Sequence, residues 1–181
     1  LAAFATVAIF VFAATFAVPD ATRTAMHGGY EASAWSLFLQ RLFLAAGVLG
    51  VLGGLDDVAA HAPRRQAEHW LVLLFSVLGM VIVPGARDLV LVVVAFELMS
   101  IPLYVLAAWS KTDAKNPAER GLAGEAAIKL YLVGATSTAV TLFGLALLTG
   151  MQGTTRLADL GAIPLEPLSS VALVMVLAGL G

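Results

Sequence analysis

Cysteine is absent from the 181 residues, which excludes thiolate-bound iron–sulfur clusters, cysteine zinc sites and disulfides from this chain. Any redox cofactor must therefore sit elsewhere. Charge is scarce as well: Asp, Glu, Lys and Arg make up 12% of the residues and the formal net charge is -2. The basic residues stand singly or in pairs, so no electrostatic footprint for nucleic acid exists. His27, His61 and His69 have no ligand spacing such as H-x-x-x-H, and a metal site is not expected. There is no glycine-rich nucleotide loop and no nucleophile elbow. Leu1 opens an apolar stretch without a basic segment or a small-residue cleavage site, and the far end breaks off inside an apolar run. These ends read as those of an internal fragment.

What the chain has in abundance is apolar side chains, 60% of the total. They fall into five stretches long enough, or nearly so, to cross a hydrocarbon core about 30 Å thick, at about 1–18, 36–55, 69–84, 88–109 and 124–149, and a truncated sixth at 169–181. The runs are continuous, with no period-two alternation, so helices rather than barrel strands are expected. The fold class is all-α, a polytopic transmembrane bundle in one membrane domain, with lipid as its solvent. Pro84 and Gly85 make a tight turn between the third and fourth spans. Ahead of the fifth span, Asn116, Pro117 and Glu119 form a helix-start signal outside the lipid.

Basic residues sort the loops into sides. Arg64, Arg65, Lys111, Lys115 and Arg120 lie on one, and Arg23, Arg87 and Arg156 on the other. The richer side is cytoplasmic, or its organellar equivalent. Gly47, Gly50, Gly53 and Gly54 in the second span, with Gly134 and Gly144 in the fifth, suit close helix approach.

Glu97 is the residue that most needs a reason. It lies nine residues beyond Asp88, about 13 Å into its span, too deep for a carboxylate to reach water by stretching. A charge there costs several kcal/mol, so Glu97 must face a polar interior, pair with a cation or hold its proton. Each alternative suits a proton site, and a satisfied structural carboxylate is the rival. A helical wheel puts Ser100, Ile101, Tyr104 and Ala108 on its side, so the Ser100 and Tyr104 hydroxyls are candidate relays. Pro102 weakens the backbone bonding just beyond. Lys129 sits four residues into the fifth apolar run. From position alone it is either a surface lysine paired with Glu125 or, if that helix begins at Pro117 and is buried early, a deeper one. Arg41, one and a half turns inside its span, is expected to extend to the interface.

The run LGMVIVPGARDLVLVVVAFELMSIPLYVLAAW, Leu78 to Trp109, resembles subunit N of the proton-pumping NADH:quinone oxidoreductase, respiratory complex I; FELMSIPLYVLAAW is its specific part. EAAIKLYLVGATSTAVTLFGLALLTGMQGTTRLADL, Glu125 to Leu160, is similar to the helix and loop that follow in that family. The resemblance extends loosely over the second and third spans. It implies an antiporter-like, inverted-repeat subunit in which Glu97 is the key glutamate and Lys129 the sixth-helix lysine for proton translocation. The span at 88–109 would then be the family's fifth helix. The family's seventh-helix lysine and the second half of the repeat are not in this stretch. The resemblance further implies other membrane subunits of the same complex as partners, a bacterial inner-membrane location, and flavin, iron–sulfur clusters and quinone in partner subunits. Two alternatives stand beside it: a subunit of a multi-subunit Na+/H+ antiporter, and a non-pumping scaffold bundle.

Overall fold

The computed structural model describes residues 9, 11–13, 15–17, 22–61, 65–109, 117–162 and 166–180. Five helices dominate: α1 (Ala34–His61), α2 (Gln66–Ile82), α3 (Leu89–Ala107), α4 (Pro117–Gln152) and α5 (Pro167–Leu180). The second to fifth sequence spans fall on α1 to α4, which are long and apolar enough to cross a membrane; α5 is a shorter apolar helix. Of the first span, residues 9 and 11–13 are helical and Thr15–Ala17 form a 3-10 turn; the rest lies outside the described residues.

Two helix ends differ from the hydropathy bounds. α1 continues through Asp56 and Asp57, both exposed, because charge ends the lipid-compatible stretch without ending the backbone hydrogen bonding. α4 continues past Gly150 and stops at Gly153, whose φ of 67° is the left-handed conformation that closes helices. Its start at Pro117 agrees with the proline signal; Asn116 lies outside the described residues, as does the Glu119 side chain. Between the first and second spans there is also a small antiparallel hairpin, β1 (Arg23–Ala25) with β2 (Tyr30–Ala32), which hydropathy did not indicate.

Sequential helices pack on one another. Val51 and Val58 of α1 and Trp70 of α2 form a buried cluster, flanked by Val48, Leu55, Leu73 and Trp109. α2 and α3 approach closely because Gly79 has no side chain where the backbone of Ala95 and Met99 passes. Beside it the fully buried Ser76 donates to the Met99 carbonyl at 2.8 Å. Among the expected packing glycines, Gly47 meets Val77, Gly54 meets Trp70, Gly134 meets Tyr104 and Gly144 meets α5, whereas Gly50 and Gly53 face open space. The outer surface is apolar, with Leu49, Val94, Val133 and Leu177 all exposed, as lipid or neighbouring protein requires.

One end of the bundle is strapped together. Asp88 caps α3, accepting from the Val90 amide at 2.9 Å and from the Thr155 hydroxyl at 2.5 Å. The Leu89 amide donates to Thr155 O at 2.8 Å and the Leu157 amide to Arg87 O at 3.0 Å. The Arg87 amide donates to Gly29 O at 2.8 Å, and its guanidinium pairs with Glu31 at 3.2 Å. Arg156 reaches His27 O at 3.0 Å. Three alternate loops, those carrying Arg23, Arg87 and Arg156, therefore meet at one end, as alternate loops of a membrane bundle must. The Thr155 hydroxyl, two backbone amides and the nearby Arg156 hold the Asp88 carboxyl below the usual aspartate range, against a smaller opposing effect of burial.

Candidate functional site

The strap fixes where α3 begins and where α4 ends, and so sets which residues of the two helices lie level. Glu97, midway along α3, opens on a cavity of about 180 Å³. Leu89, Val92, Val93 and Phe96 of α3, Thr138, Thr141, Leu142 and Leu145 of α4, Leu157 of the strap and Val176 of α5 line the rest. The four α4 residues follow the spacing of one helix face, i, i+3, i+4 and i+7. The walls are otherwise hydrocarbon. Glu97 Oε1 is buried and has no hydrogen-bond partner among the described residues. The cavity is lined almost wholly by carbon, and Glu97 Oε1 lies beside it beneath the surface, a buried carboxyl oxygen that burial penalises when it is charged.

The helix-wheel neighbours are engaged elsewhere. Ser100 is buried, and its hydroxyl donates to the Phe96 carbonyl at 2.8 Å. Tyr104 packs into the space left by Gly134, with its ring edge-to-face on Tyr131 at 6.0 Å between centroids. Ile101 is exposed. Lys129 is exposed too, its ammonium 2.5 Å from Glu125 with the two side chains 72% and 58% exposed. It lies nine residues before Thr138, about 13 Å along α4 from the level of Glu97. The structure thus places Glu97, Thr138 and Thr141 around one cavity, and leaves Glu97 and Lys129 apart.

Arg41 stays half-buried rather than reaching outward: it donates to Thr15 O at 3.1 Å and lies 5.0 Å over the Phe16 ring. His27 sits in the β1–β2 turn, and His69 lies between Trp70 and Trp109 with ring centroids 5.2 Å from each. No group of three or more metal-ligating side chains occurs among the described residues. The cavity-facing threonines escaped the sequence reading because threonine is unremarkable in a membrane helix and the wheel of α3 says nothing about the face of α4. Their i, i+3 spacing was the available signal.

Residues 86–181 match the model of the family described as NADH:quinone oxidoreductase/Mrp antiporter, transmembrane. The chain is 37% identical over 148 residues to NADH-quinone oxidoreductase subunit N of Heliobacterium modesticaldum, which aligns 81% of this chain with 30% of that protein. It is 34% identical over 169 residues to the subunit N of Desulfovibrio desulfuricans, aligning 87% with 32%. A chain of respiratory complex I from Thermus thermophilus, solved with bound aureothin, superposes with a TM-score of 0.78 at 32% identity, over 99% of this chain and 37% of that one. The chain thus spans about a third of the length of the curated relatives it matches.

Proposed function

The chain belongs to the NADH:quinone oxidoreductase/Mrp antiporter transmembrane family, and from that footing we propose that it is part of a subunit N, a proton-translocating membrane subunit of an NADH:quinone oxidoreductase. The names of its relatives favour this branch of the family over the antiporter branch. In this reading the redox chemistry belongs to other subunits, which carry flavin, iron–sulfur clusters and quinone, and the neighbours of this chain are further membrane subunits in a bacterial plasma membrane.

The observation that carries the proposal is a buried carboxyl oxygen on Glu97, without a hydrogen-bond partner among the described residues, beside an almost wholly apolar cavity. In such a site a cation drawing near stabilises the carboxylate and releases a proton, and its withdrawal favours the neutral acid. Lys129 is the cation this chain offers, held by Glu125 about 13 Å along α4. Exchange of partners by Lys129, or a charge from a neighbouring subunit, would supply the change of field. Ser100 and Tyr104 remain on the Glu97 side of α3 as possible relays only if they release their present contacts.

The test is Glu97→Gln in the full-length subunit, with assembly of the complex verified, followed by NADH-driven quinone reduction and proton uptake in membrane vesicles. Loss of pumping and of coupled turnover in an assembled complex is expected. Unchanged pumping would reduce Glu97 to a structural carboxylate.

A further inference from the structure

We propose that the groove between the first span, α1 and α2 holds one acyl chain of a phospholipid whose headgroup lies at the non-cytoplasmic face. The inference rests on the membrane-spanning fold and stands whether or not Glu97 moves protons. Gly47 lets α1 meet α2 at Val77, and Gly54 lets it meet Trp70. These two contacts set an antiparallel register in which Arg41 lies level with the turn that ends α2. Over the Gly47 contact runs a slot of about 300 Å³, lined by Leu44 and Val48 of α1, by one face of α2 from Leu71 through Leu78 to Val81, and by Val11 of the first span. No described residue of the lining has a side-chain nitrogen or oxygen. Leu71, Phe75 and Leu78 are left half-exposed along it.

The dimensions select the occupant. Residues 71 to 81 cover about 15 Å of α2 at 1.5 Å per residue, so the slot averages ~20 Å² in section. A helix with its side chains is about 10–12 Å across, ~80 Å² or more, and does not enter. An extended peptide would bring amides and carbonyls to walls that offer them no partner. A single hydrocarbon chain needs neither the width nor the hydrogen bonds, and it supplies the van der Waals contacts that the slot walls lack on their open side. Arg41 gives the chain its direction. It stands three residues before Leu44 and seven before Val48, on the same face of α1 and at the Val81 end of the slot. Its guanidinium donates to Thr15 O at 3.1 Å and lies 5.0 Å over the Phe16 ring, so its charge is held at that end, where it complements a phosphodiester.

The experiment uses the full-length subunit assembled in its complex and reconstituted into vesicles of phosphatidylethanolamine, a fraction of which carries a diazirine at a set carbon of one acyl chain. The complex is chased with unlabelled phosphatidylethanolamine before illumination, so that only retained lipid leaves adducts, and these are mapped by peptide mass spectrometry. Adducts along the slot face from Leu71 to Val81 should survive the chase, while those on Leu49, an exposed apolar residue outside the slot, should be lost. Moving the diazirine from the headgroup toward the chain end should move the adducts from Val81 toward Leu71. Leu78→Trp fills the slot and should abolish the retained adducts; Leu49→Trp adds the same bulk elsewhere and should leave them. Should Leu78→Trp fail to assemble, Leu71→Phe closes the far end of the slot and should abolish the adducts from the chain-end diazirine. Slot adducts that wash out, or that persist in these slot-filling variants, would overturn the proposal. So would the reverse order of adducts, which puts the headgroup in the cytoplasmic leaflet, labelling by a diazirine-bearing isoprenoid quinone in place of the phospholipid, or crosslinks from the slot to a neighbouring protein helix.

Discussion

A carboxyl group kept inside hydrocarbon with Oε1 unbonded among the described residues is a liability to the fold, and that liability has a measurable sign. Glu97→Met, which fills similar space without a polar group, should stabilise the detergent-solubilised full-length subunit by about 1–2 kcal/mol in thermal unfolding while abolishing pumping. A destabilised Glu97→Met would mean that the carboxyl has a partner after all. The position of Glu97 could be read from the sequence because depth requires only counting from the end of an apolar run. What it faces could not. A wheel of α3 places Ser100 on the same side, but it cannot say that a serine will spend its hydroxyl on the carbonyl four residues back. Nor can it find Thr138 and Thr141, which line the same cavity from another helix. Lys129 illustrates the same limit: its depth depended on where α4 begins and on what covers that first stretch, and the structure leaves it exposed beside Glu125.

At the scale of helices, the apolar runs were legible because about 20 apolar residues in a row have few other uses. The ends were less so. Hydropathy stops at Asp56, whereas α1 stops at His61, and no hydropathy signal marks the hairpin of Arg23–Ala25 and Tyr30–Ala32, whose strands are three residues each. Glycine is ambiguous in the same way, since identical residues serve packing in one place and nothing in another. Gly79→Ala would place a methyl group against the backbone of Met99 and Ala95, which cannot step aside, so α2 and α3 must part at a cost of about 1–3 kcal/mol. Gly53→Ala meets open space and should stabilise α1 by roughly 0.5–1 kcal/mol through helix propensity alone. Thermal unfolding of the two variants in parallel checks the contrast; equal effects would mean that the close approach at Gly79 is not a constraint.

The whole molecule is held in register by the strap, where one carboxylate joins a helix cap to a distant loop. The folded state holds the Asp88 carboxyl below its ordinary range, chiefly through Thr155. Its contribution to stability is therefore complete above the unfolded value near ~4, and is lost as pH falls through the folded value. Asp88→Ala should cost about 1 kcal/mol at neutral pH, the usual worth of such a cap, whereas Asp88→Asn keeps a good cap and should flatten the acid limb of the unfolding profile. An unaltered acid limb in Asp88→Asn would place the pH dependence elsewhere. The strap also makes sidedness a property of the fold rather than of loop charge alone, since the loops bearing Arg23, Arg87 and Arg156 are bonded into one end. This stretch has no native cysteine, so single introduced thiols report position cleanly. Met26→Cys and Asp159→Cys, both at exposed positions of the strapped end, should be labelled by an impermeant maleimide from the non-cytoplasmic face, and Arg65→Cys, in the loop between α1 and α2, only from the cytoplasmic face. Labelling of Met26→Cys and Asp159→Cys from opposite faces would break the strap as a one-sided structure. Labelling of both with Arg65→Cys from one face would show that α1 does not cross the bilayer.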